Sequence, residues 1–123
     1  AHTAAQKMPA RTDLQPEDVA AAQLYDGFAI LTVLGLEALG LCPIGDGGAF
    51  IEGGTRIRRQ GELPINTNGG QLSGGRTHGL GYVHEACTQL WNRAGERQVK
   101  PHQVEVVSSG GGPLAGSLLL VRD

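Results

Sequence analysis

Glycine falls in three clusters along this chain, at 45–54, 69–81 and 110–116, and no other feature restricts the fold as much. Twenty of the 123 residues are glycine, over twice the usual share of about 7%. No collagen-like or low-complexity period links them. Clusters of this kind mark places where the backbone turns sharply or is approached closely. The chain therefore reads as regular elements separated by glycine-built loops. Its length suits one domain, 1–123, with one core.

The segments between the clusters have distinct periods. Residues 1–8 read as the last turns of a helix that begins in a longer polypeptide. Leu14-Gln15-Pro16-Glu17-Asp18 reads as a turn leading into an apolar strand, Val19 to Tyr25. From Phe28 the apolar residues Ile30, Leu31, Val33, Leu34, Leu36, Ala38 and Leu39 cover nearly every face of a helix, so that helix should be buried on all sides. Gly40 fits its C-terminal cap. Residues 42–61 read as a loop, Glu62 to Thr67 as a strand, and Asn68 to Gly81 as a glycine-rich connection. A second helix places Val83, Ala86, Cys87, Leu90 and Trp91 on one face, with His84, Glu85 and Gln89 off it, and Gly95 at its end. Val104 to Ser108 and Leu114 to Val121 are strands joined closely enough to be antiparallel. Helices mixed with strands in this order imply the α/β class, a mixed sheet packed by helices.

Charge and cysteine usage exclude several classes. With 10 basic and 12 acidic residues, the formal net charge is −2, which gives no reason to expect nucleic acid as a partner. No apolar run reaches the roughly 20 residues of a membrane span, and no secretory leader is visible. Cys42 and Cys87 belong to no metal-ligand or redox spacing, and both read as buried apolar thiols in a reduced, cytoplasmic setting. No metal is expected. Arg56-Ile57-Arg58-Arg59 reads as a solvated loop face, with contact to phosphates as the alternative.

Taken together, the glycine clusters resemble the thiolase superfamily. Its signatures occur in family order over essentially the whole chain. The thiolase Asn-Glu-Ala-Phe-Ala or His-Glu-Ala-Phe-Ala motif is matched by Tyr25-Asp26-Gly27-Phe28-Ala29. Asn-Gly-Gly and the Gly-His-Pro-Ile-Gly motif are matched by Asn68-Gly69-Gly70 and the stretch to Gly75-Arg76-Thr77-His78-Gly79. The Cys-x-Gly-Gly-Gly hairpin is matched by Ser108-Ser109-Gly110-Gly111-Gly112. The fold implied is the C-terminal half of a thiolase. The departures matter most: Tyr25 stands for the motif Asn or His, Arg76 for the motif His, and Ser108 for the C-terminal Cys. Arginine stays protonated near neutrality and cannot replace a His base. Serine without a neighbouring base is a poor proton-transfer group. The nucleophilic thiolase Cys belongs to the N-terminal half.

The combined pattern is similar to the lipid-transfer, sterol-carrier-type branch. That branch includes sterol side-chain retro-aldolases working with an OB-fold (DUF35) partner protein. The resemblance implies cleavage of a β-hydroxyacyl-CoA, with coenzyme A entering only as part of the substrate and no tightly bound cofactor. It also implies a missing N-terminal thiolase half and a dimer. It places Tyr25 at the position of a catalytic tyrosine. A second tyrosine of the branch, near the Arg-x-His-Gly motif, either has no counterpart, since Thr77 occupies that place, or has Tyr82 as its nearest alternative. Tyr25 would act as base if a cation such as Arg76 favoured its phenolate. His78 carries the side chain that most readily serves as a base near neutrality. The amides opening the second helix would meet a developing oxyanion. Arg76, Tyr82 and Ser108 are possible supports, and Gly79, Gly110, Gly111 and Gly112 would admit the acyl chain or pantetheine. Asp26 reads as a turn or N-cap residue. Two other readings stand beside the lyase: a silent acyl-CoA or lipid-binding module completing a larger assembly, and a residual thiolase or acyltransferase.

Overall fold

All three residues of Ala21–Gln23 (β1) are buried, as are the first four of Val104–Ser109 (β2). Strands buried on both faces need cover on both sides, and this chain supplies it with helices. The computed structural model describes residues 12–111 and 114–123. The helix expected over 1–8 and the substrate contact expected of Gly112 fall outside them. β1 lies parallel to β2, with Ala21 opposite Glu105 and Gln23 opposite Val107. β2 pairs antiparallel with Gly116–Val121 (β3), from Val104 opposite Val121 to Ser109 opposite Gly116. The sheet is therefore mixed, in the order β1-β2-β3.

Alternation along the strands divides the interior. Ala22, Leu24, Val104 and Val106 meet Leu36, Leu39, Cys42 and Phe50 on one face. These partners come from the helices Ala29–Ala38 (α1) and Gly47–Ile51 (α2), and from the turn between them. On the other face Val107 meets Tyr82 and Ala86 of the helix Leu80–Leu90 (α4). A short helix, Gly70–Gly74 (α3), precedes α4. Gly40 closes α1 at φ +72°. Its N–H reaches the Glu37 carbonyl and the Leu41 N–H the Leu36 carbonyl, the paired bonds of a Schellman end.

Several expectations need correction. The strand over Val19 to Tyr25 shortens to three residues, because Pro16–Asp18 forms a turn at one end. At the other end the Asn66 side chain takes both backbone groups of Leu24, at 2.7 and 2.9 Å. The strand over Glu62 to Thr67 reduces to one parallel bridge, Ile65 to Ala22. Pro64 has no N–H to give, and Asn66 at φ +47° turns the chain away. The loop over 42–61 contains α2, which approaches α1 closely. A side chain at Gly47 would stand 2.7 Å from Val33, and its N–H donates to Glu37.

Burial of α1 on every side is not met: Phe28 is 72% exposed, Ile30 59% and Leu34 49%. One face of α1 packs on the sheet, and nothing among the described residues covers the other. In α4 the polar residues depart from the expected face. Glu85 and Gln89 are buried, whereas Trp91 is 58% exposed. Asn92 at φ +55° rather than Gly95 ends that helix.

Glu85 and Gln89 can be buried because hydrogen bonds satisfy them. Arg97 binds the Glu85 carboxylate at 2.9 Å, and Thr67 and Gln89 donate to it. Burial pushes the Glu85 carboxyl up, but these hydrogen bonds outweigh it and hold it below the usual carboxylate range. The Gln89 amide also fastens the Arg97 carbonyl and the Val99 N–H. Gln23 links this cluster to Glu105 at the centre of the sheet, and His102 closes on Glu105 at 2.7 Å. Among the described residues no helix is long and apolar enough to cross a membrane.

Candidate functional site

β1 and β2 run parallel, so the ends from which Tyr25 and Ser108 emerge lie side by side. The Tyr25 N–H donates to the Ser108 Oγ at 3.2 Å. The Tyr25 carbonyl accepts the hydroxyl of Thr32, from the first turn of α1, also at 3.2 Å. Tyr25 is thus held by its backbone on both sides. Its ring turns back over Gly27, where an added Cβ would stand 2.3 Å from the phenolic oxygen. Tyr25, Ser108 and Gly110 line a narrow cleft of about 20 Å³, together with Leu31 and Gly35 of α1.

Asp26 behaves unlike the local cap expected of it. α1 starts at Phe28 without a side-chain cap, and the buried Asp26 carboxylate reaches across to α3. It accepts the N–H of Gln71 at 2.9 Å and of Leu72 at 3.4 Å, capping a helix 45 residues away in sequence. The hydroxyl of Tyr82 donates to the same carboxylate and accepts the Asp26 N–H at 3.1 Å. A side chain at Gly70 would collide with Asp26, so glycine lets the backbone approach. Burial first, and then the hydrogen bond to Asp26, push the Tyr82 hydroxyl up to about 12. Tyr82 keeps its proton and ties the motif to the loop. Its ring meets Tyr25 edge-on, with centroids 6.5 Å apart.

The glycine-rich loop returns to the strand ends through Gly79. It sits at φ +94°, and a Cβ there would stand 2.4 Å from the Ser109 Oγ. His78, beside it, holds φ +52°, a conformation uncommon for a residue with a side chain. His78 and Arg76 are both exposed. Among the described residues no hydrogen bond joins either to Tyr25, so the expected Arg76–Tyr25 pairing is not formed. The N–H groups of Leu80 and Gly81, opening α4, are already taken by the carbonyl and hydroxyl of Thr77. Those two amides are therefore not free for an oxyanion. Gly110 turns the hairpin at φ +76°, with no room for a Cβ beside the Leu114 carbonyl, and Gly111 lies against Leu31.

Tyr25, Ser108, Gly110 and Gly111 are brought together at the strand ends, and Gly79 joins them through Ser109. Arg76 and His78 stand on the exposed loop. Sequence reasoning missed three positioning groups, Thr32, Asn66 and the long reach of Asp26. Only the Asn66-Thr67-Asn68-Gly69-Gly70 run carried a signal, as turn-forming residues. Among the described residues no group of three or more His, Cys, Asp or Glu is placed to hold a metal ion.

This arrangement of strand ends, glycine loop and hairpin has close counterparts. The family model described as thiolase C-terminal domain-like matches residues 1–122, and the chain belongs to that family. It is 38% identical over 110 residues to a 17-hydroxy-3-oxo-4-pregnene-20-carboxyl-CoA lyase of Mycobacterium tuberculosis, covering 89% of this chain and 28% of that protein. It is 35% identical over 114 residues to a steroid side-chain-cleaving aldolase of Thermomonospora curvata, covering 93% and 29%. Sterol carrier protein 2 of Rattus norvegicus is 41% identical over 99 residues, 78% of this chain and 18% of that protein. Among solved structures, an Ltp2-ChsH2(DUF35) aldolase superposes with a TM-score of 0.88 at 34% identity, over 98% of this chain and 31% of that one. The chain thus spans less than a third of the length of each.

Proposed function

We propose that the protein to which this chain contributes cleaves a carbon–carbon bond of a β-hydroxyacyl-CoA, such as a sterol side-chain thioester, by retro-aldol chemistry. The observation that carries the reading is Tyr25, clamped by Ser108 and Thr32 at the mouth of the strand-end cleft. The relatives named as a lyase and as a side-chain-cleaving aldolase support it. In the step proposed, Tyr25 takes the proton of the β-hydroxyl. The O–H electrons become the second bond of a carbonyl, the Cα–Cβ bond breaks, and its electrons pass into the thioester as an enolate. Protonation at Cα, for which His78 is the candidate donor, releases a shortened acyl-CoA and a ketone or aldehyde. Coenzyme A enters as part of the substrate. The other wall of the site would come from an N-terminal thiolase half, within a dimer and with a DUF35-type partner.

The test uses the full-length protein with any partner that purifies with it. Chromatographic detection of both products from a β-hydroxyacyl-CoA should give turnover, and Tyr25→Phe should lower kcat by roughly 10²- to 10⁴-fold, the usual worth of a positioned acid/base group. Unchanged cleavage by Tyr25→Phe would remove its role. Acyl-CoA binding by the wild type without turnover would favour the silent lipid-binding module instead, a reading that the sterol carrier relatives suggest.

A further inference from the structure

Gly27 differs from three of the glycines around the site. Gly70, Gly79 and Gly110 all hold φ between +63° and +94°, where the backbone itself favours glycine. Gly27 lies outside that left-handed region, so its backbone conformation is open to any small residue. What excludes a side chain is the Tyr25 ring. A Cβ at position 27 would stand 2.3 Å from the phenolic oxygen, 2.5 Å from Cζ and 2.8 Å from Cε1. No real Cβ contact is that short, and the backbone of Tyr25 cannot yield easily. It is fixed by Ser108 at the N–H and by Thr32 at the carbonyl, while the Asp26 backbone that follows is tied to Tyr82. Strain introduced at position 27 therefore falls on the side-chain torsions of Tyr25, and its hydroxyl moves.

We propose that Gly27 is a positioning residue whose missing side chain sets where the Tyr25 hydroxyl lies. The proposal rests on the role assigned to Tyr25 above and names what holds that group in place. Restoring ordinary contact requires the oxygen to move by more than about 1 Å, a displacement worth on the order of 100-fold in rate at a reacting centre.

The experiment is a double-mutant cycle on the full-length protein with its partner, using a β-hydroxyacyl-CoA. Gly27→Ala should lower kcat about 100-fold with KM changed less than about threefold, and it should leave the thermal midpoint almost unmoved. In a Tyr25→Phe background, adding Gly27→Ala should change kcat by less than about twofold, because the group it acts through is gone. Full kcat in Gly27→Ala, with Tyr25→Phe strongly impaired, overturns the positioning role and leaves the catalytic reading of Tyr25 intact. Equal slowing by Gly27→Ala in both backgrounds overturns it too. Unimpaired cleavage by Tyr25→Phe overturns the catalytic reading, and the positioning role with it. Should Gly27→Ala fail to fold, adding Tyr25→Asn, which removes the ring, should restore a folded protein. Continued misfolding of that pair would show that the ring is not what position 27 accommodates.

Discussion

Replacing Tyr82 by phenylalanine removes one oxygen that serves two hydrogen bonds, one donated to the Asp26 carboxylate and one accepted from the Asp26 N–H. Tyr82 is 3% exposed, so the ring stays packed and water has little access to replace the hydroxyl. A buried hydrogen bond to a charged group contributes about 1.5–3 kcal/mol, and a buried N–H left without a partner costs about 1–3 kcal/mol. Asp26 keeps the amides of Gln71 and Leu72, which favours the lower part of both ranges. The expected loss is about 3 kcal/mol. In a protein of roughly 300–400 residues, with an unfolding entropy of about 2.1 cal/mol/K per residue, that corresponds to a fall in Tm of about 4–5 °C.

The alkaline limb gives a second readout from the same variant. The Tyr82 hydroxyl is raised from 10.0 to about 12, chiefly by burial and then by Asp26. A raised folded value means that its contribution is whole below about 10 and is lost as pH climbs from about 10 toward 12. Urea unfolding at neutral pH and at pH 11 should therefore show a steeper alkaline loss in the wild type than in Tyr82→Phe. A neutral-pH difference below about 1 kcal/mol, which is smaller than either bond alone should give, would refute the clamp. So would identical alkaline slopes.

Two further predictions concern stability at other positions. His102 is raised by its hydrogen bond to the buried Glu105, against the lowering effect of burial. Its contribution to stability should be whole below the ordinary imidazole value and decline as pH rises through the raised one, and His102→Gln should flatten the slope between pH 6 and 8 in denaturant unfolding. Gly79→Ala meets both a left-handed backbone and the Ser109 side chain, and should cost about 1–3 kcal/mol. Adding Ser109→Gly should recover only part of that loss in thermal melts, and full recovery would show that backbone conformation at Gly79 matters little.

Much of the fold is legible where one local signal decides it. Gly40 after an apolar run predicts the helix end that forms, and the glycine hairpin predicts the antiparallel pair β2–β3. Legibility fails where polar residues are buried. Apolar positions alone give the wrong face for α4, because Glu85 and Gln89 occupy the interior, satisfied by Arg97, Thr67 and Val99. No local period carries those partners, which come from separate segments. The site divides in the same way. Motif order brings Tyr25 and Ser108 to one place, but the bond between them runs from backbone to side chain, and a sequence does not display it. The expected Arg76–Tyr25 pair rested on charge alone, and the loop carries Arg76 outward. Helix caps are usually local, whereas tertiary packing assigns Asp26 to α3.

The fit of the Tyr25 ring over Gly27 has a consequence for redesign. The thiolase motif that the chain resembles places Asn or His at the first of these positions and Ala two residues on, where this chain has Tyr25 and Gly27. A tyrosine introduced alone into such a scaffold would meet the alanine methyl and swing its hydroxyl aside. A glycine introduced alone would cost only backbone entropy, roughly 0.4–1 kcal/mol. Any route from one motif to the other, in the laboratory or in descent, is therefore smoother if the glycine comes first and the phenol second.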